Sequence, residues 1–65
     1  MNKIAYVIFM TDEPVRVIID DKEKANQIME NLKRVRYEKR YSHHMTYQEF
    51  LSRHYWHIHE VQIEE

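Results

Sequence analysis

The run Ile4-Ala5-Tyr6-Val7-Ile8-Phe9-Met10 constrains this chain more than any other feature. A strand shows successive side chains to opposite faces, so a run that is apolar at both parities belongs in the middle of a sheet with both faces covered. The chain has 65 residues, which allows a single domain over residues 1–65. A domain of about this size buries only about 60% of the surface its unfolded chain exposes, so its stability is marginal. Such scaffolds usually carry a disulfide, a metal or a partner subunit. There is no Cys, which rules out the disulfide, fits a reducing compartment and leaves the metal or the partner.

Thr11-Asp12-Glu13-Pro14 breaks the run, and Val15-Arg16-Val17-Ile18-Ile19 follows. Pro fixes φ and Asp bonds forward to the backbone, so the break is a turn. Two adjacent strand-like runs joined this way form a hairpin. Asp20-Asp21-Lys22-Glu23 then opens a helix. With Asp20 as N-cap, Glu23 sits three residues on, in capping-box position. Ala25, Ile28, Met29, Leu32 and Val35 are spaced by three and four and share one face. The spacing predicts a helix to about Tyr41. Ser42-His43-His44-Met45 is a break, and Thr46-Tyr47-Gln48-Glu49 repeats the capping-box pattern before a short helix ending near His54.

The last run, Tyr55 to Ile63, is the third strand. Its parity is imperfect, because Trp56 and Ile58 share one face while Val61 and Ile63 share the other. A bulge near His59-Glu60 would reconcile them. The expected fold is α+β, ββα(α)β, with an antiparallel three-stranded sheet in the order 2-1-3. One long helix covers one face as a right-handed crossover. A helix of about 20 residues is about 30 Å long and a seven-residue strand about 23 Å, so the basic helix end overhangs the sheet.

One long helix leaves one sheet face open, and the first strand is apolar on both. Either the short helix and Trp56 fold over this face, or it meets a second copy or another protein. Val7, Phe9 and Trp56 are its candidate contact residues. The other candidate surface is the helix end. Residues 33–53 hold six basic and two acidic side chains, against four and six in residues 1–32 and none and three in residues 54–65. Lys33, Arg34, Arg36, Lys39 and Arg40, interleaved with Tyr37 and Tyr41, suit an anionic protein surface or the phosphates and unpaired bases of a nucleic acid. Cations at a helix C-terminus are also ordinary partners of its dipole.

The remaining residues argue against chemistry. His57 and His59 point the same way from a strand, yet no fourth strong ligand joins His43, His44 or His54 around them, so no metal is expected. Ser42 and Ser52 lack triad partners, and no Gly is present to cradle a phosphate. A typical ligand pocket would consume most of the core. Neither catalytic residues nor a cofactor are therefore expected. The apolar start is too short for a secretory leader, and no run reaches the roughly 20 apolar residues of a membrane span. A soluble, cytoplasmic protein is the expectation.

The apolar first strand, the Asp12-Glu13-Pro14-Val15 hairpin, the Asp21-Lys22-Glu23-Lys24-Ala25 helix start and the closing Trp56-His57-Ile58-His59-Glu60-Val61 strand resemble the layout of short accessory proteins of bacteriophages and mobile elements. The resemblance covers the whole chain. It implies a modulator that binds and inhibits or redirects a host protein or defence system. A non-enzymatic protein-binding module is thus the leading expectation, with homodimerisation open. A small nucleic-acid-binding protein using the basic helix end is the alternative.

Overall fold

The computed structural model describes residues 3–64. Strand β1 (Lys3–Met10) lies between β2 (Glu13–Ile19) and β3 (Trp56–Ile63), antiparallel to both. The order is the 2-1-3 that the apolar first run required. Helix α1 (Lys22–Arg36) continues without a break into a π-helical turn, Tyr37–Tyr41, and helix α2 (Tyr47–Arg53) precedes β3.

The hairpin loop is Thr11-Asp12, closed by the Met10↔Glu13 pair. Strand β2 therefore starts two residues earlier than Val15. Pro14 falls inside it, as an edge strand allows. Thr11 has φ of 58° and Asp12 does not share the positive sign, the φ pattern of a type II′ turn. That position normally takes Gly, and this chain has none.

The expected N-cap moves by one residue. Asp21, in extended conformation, accepts the Lys24 amide at 2.9 Å and caps α1. Glu23 is then the second helical residue, so α1 has no capping box. Asp20 has φ of 59°, a conformation Asp tolerates better than most residues. Its carboxylate reaches back across the hairpin to the Ile4 amide. The second box is as expected: Thr46 Oγ1 accepts the Glu49 amide and Glu49 Oε1 accepts the Thr46 amide.

The irregularity also moves. The β1–β3 register is unbroken from Lys3↔Ile63 to Met10↔Trp56. The slip lies in β2, where Ile8 pairs with Arg16 and Phe9 with Pro14, leaving Val15 as the extra residue. No bulge is needed in β3 because its two apolar pairs serve different faces. Trp56 and Ile58 join the core, while Val61 and Ile63 do not.

The core sits on the face shown by Tyr6, Ile8 and Met10. Ile8, Met10, Phe50 and Trp56 form its buried centre, with Ile28, Met29 and Leu32 of α1 packed against them. Val35, placed on the same helix stripe by its spacing, is 45% exposed. Arg36 lies 4.0 Å from Glu13 at the hairpin end of the sheet, so residues 37–41 continue past it. The overhang is real, but α2 fills the space beneath it. Phe50 is fully buried there among Tyr37, Tyr41, Tyr47 and His54.

Candidate functional site

The opposite face of the sheet is bare. Pairing puts Val7 between Val17 and His59, and Ala5 between Ile19 and Val61. These residues alternate with the core set and point away from both helices. Val17 is 53% exposed, Ile19 and Val61 46% each, and Ile63 36%. Val7 and Phe9 are half-buried because neighbouring strands flank them. The result is an apolar strip running across all three strands.

An aromatic row edges this strip. The His57 ring stacks on Phe9 at 5.1 Å with only 6° between planes, and on Tyr55 at 5.0 Å. His59 meets Phe9 edge-on at 6.0 Å and His57 at 6.2 Å. Both imidazoles do point the same way, as their spacing required. Their neighbours are rings, and among the described residues no three His, Cys, Asp or Glu side chains gather around a metal position. His57 Nδ1 is buried without a hydrogen-bond partner among the described residues.

Two of the candidate contact residues, Val7 and Phe9, therefore belong to the bare face. Trp56 does not. It pairs with Met10 on the core face, lies 6.4 Å from Phe50 and is 8% exposed. The idea that Trp56 and α2 fold over the bare face is corrected by the same observation: α2 packs on the other side of the sheet. What places Trp56 is its register opposite Met10, which the sequence does not show.

The basic helix end is less available than its composition implied. Lys33 Nζ lies 3.0 Å from Glu30, and Arg36 reaches Glu13. The Arg34 guanidinium sits 5.5 Å above the Tyr47 ring, a cation–π distance. Lys39 and Arg40 are exposed on the π turn and make no ion pair among the described residues. Tyr37 and Tyr41, the rings expected to stack on bases, are occupied with Phe50, and the Tyr37 hydroxyl donates to the Met45 carbonyl at 2.8 Å.

No helix among the described residues is long and apolar enough to cross a membrane. Compared with known proteins, the chain matches no family model, no curated protein and no solved structure.

Proposed function

We propose that this chain is a non-enzymatic protein-binding module that inhibits or regulates a host protein, docking through the bare sheet face. The carrying observation is the apolar strip of Val7, Phe9, Val17, Ile19, Val61 and Ile63 across three strands. Contiguous apolar patches of this kind are typical of interaction sites. Strands of seven and eight residues, three abreast, give the face a planar footprint of about 27 by 14 Å at most, or roughly 380 Å². A standard interface takes about 800 Å² from each partner. A second copy meeting this flat face alone therefore makes a small contact, whereas a foreign partner shaped to reach around the sheet makes a full one.

The reading is tested with the exposed pair Val17→Lys and Val61→Lys, introduced together. The protein and this variant, equally folded by circular dichroism, are used to capture partners from bacterial lysate. A specific protein retained by the first and lost by the second supports the proposal. The same catch with both removes the face from consideration. A catch released by nuclease, or lost steeply with added salt, favours the nucleic-acid reading through Lys39 and Arg40.

A further inference from the structure

The two edges of this sheet differ. The β2 edge carries Pro14, the extra residue Val15 and Arg16, devices that obstruct strand addition. Strand β3 has no Pro, Lys or Arg, and its register against β1 has no slip.

The register also tells which backbone groups of β3 face outward. The Thr11 N–H donates to the Tyr55 carbonyl, extending the β1–β3 ladder by one pair beyond Met10↔Trp56. In an antiparallel ladder, residues alternate between bonding their neighbour and facing away from it. The odd-numbered residues of β3 thus bond to β1, and the N–H and C=O groups of Ile58, Glu60 and Gln62 point out of the sheet. The other side of β1 agrees. There the Asp20 N–H donates to the Ile4 carbonyl, so even-numbered β1 residues bond to β2.

A groove of about 450 Å³ lies along this edge, between Lys22 and Asn26 of α1 and Ile58, His59 and Glu60 of β3. Its one ion pair among the described residues, Lys22–Glu60 at 3.8 Å, spans the two walls. The open backbone edge and the groove coincide.

The geometry points to the β3 edge as the docking site for an extended cationic segment of a partner protein, added as a fourth strand. Its chemistry follows from the two rows that β3 shows a neighbour. On the bare face the row is His59, Val61 and Ile63; on the helix side it is Ile58, Glu60 and Gln62, and Glu64 follows just past the end of the strand. Residues 54–65 hold three carboxylates and no Lys or Arg. A segment alternating apolar residues with Lys or Arg satisfies both rows, with main-chain hydrogen bonds supplying affinity and the rows supplying choice. A second copy of β3, which has no Lys or Arg, would bring no cation to Glu60. The site uses backbone groups at an edge and stands whether or not the bare face docks a partner.

The test titrates the isotope-labelled full chain with a short blocked peptide alternating Lys and Val, followed by amide NMR. Binding should shift the Ile58, Glu60 and Gln62 amides and slow their exchange. Gln62→Pro removes an outward N–H without touching a β1–β3 bond, and should weaken binding about tenfold or more. N-methylation of the Lys nitrogens alone, or of the Val nitrogens alone, should abolish binding in one case and spare it in the other. That comparison uses the unaltered protein, so it decides even if the Pro variant unfolds. The proposal fails if a Glu-Val peptide binds equally well, if both methylated peptides behave alike, or if the shifts gather on Val17 and Ile19. Protection of Ile58, Glu60 and Gln62 that rises with protein concentration alone would name a second copy as the occupant and overturn it.

Discussion

Asp20 and Ile4 hold each other twice: the Asp20 N–H donates to the Ile4 carbonyl at 2.8 Å, and the Asp20 carboxylate accepts the Ile4 amide at 2.9 Å. This clamp closes the far end of the β1–β2 hairpin, just where the chain leaves the sheet for α1. Asp20→Ala should cost about 1–2 kcal/mol, since it loses the carboxylate's bond and leaves Ala in a left-handed conformation. Asp20→Asn, which keeps an acceptor and tolerates that conformation, should cost clearly less. Asp21→Ala should cost about 1 kcal/mol as a lost helix cap. Urea unfolding of the three variants checks the ranking. Equal losses for Asp20→Ala and Asp20→Asn would show that the clamp is not what stabilises the junction.

Thr11 occupies the left-handed region at the head of the hairpin turn. A β-branched residue is poorly suited there. Thr11→Gly should stabilise the protein by several tenths to about 1 kcal/mol by relieving this conformation, read as a higher urea midpoint with an unchanged slope. A lower midpoint would show that the Thr side chain contributes something its backbone conformation conceals.

Phe50 is the fully buried residue that joins α2 to the overhanging helix end and to the sheet core. Phe50→Ala should cost about 3–5 kcal/mol, much of the total stability of a domain this small. Thermal melting is expected to show a broad, early transition or none. Retention of a sharp transition within a few degrees would mean that α2 is dispensable.

The basic end separates into two groups. Lys39→Glu with Arg40→Glu should change stability little beyond a small dipole penalty, because exposed charges contribute little. Adding Arg36→Glu sets a carboxylate beside Glu13 in place of the present ion pair, so the triple variant should melt below the double. Identical melting of the two would show that the Arg36–Glu13 approach has no weight in solution.

Much of this architecture was legible in the residues. The doubly apolar Ile4–Met10 run fixed the central strand, and with it the strand order. Thr46 and Glu49 announced α2 by a reciprocal bond that is purely local. What the residues concealed was non-local. Asp20 and Asp21 are equal as caps until one of them finds Ile4, a partner 16 positions away. The extra residue at Val15 cannot be seen without the pairing partner that it fails to match. The burial of Trp56 depends on a different pairing, the β1–β3 register that sets it opposite Met10. The basic run looked like a patch because its neighbours Glu30, Glu13 and Tyr47 come from the preceding turn, the hairpin and the next helix.

The turn at Tyr37–Tyr41 closes with the Ser42 N–H on the Tyr37 carbonyl, five residues back. An α-helical turn closes four back, so this loop of backbone holds one surplus residue. Tyr37 and Tyr41, at the two ends of this turn, both face Phe50. Removing one of Glu38, Lys39 or Arg40 would let this turn close as an ordinary helical one, with the backbone after it kept close to its present course. The wide turn is thus a place where the chain absorbs a change in length. A variant lacking one of these three exposed residues should still fold, whereas the same deletion within residues 28–32, where the helix has no surplus, should rotate the following residues off the core.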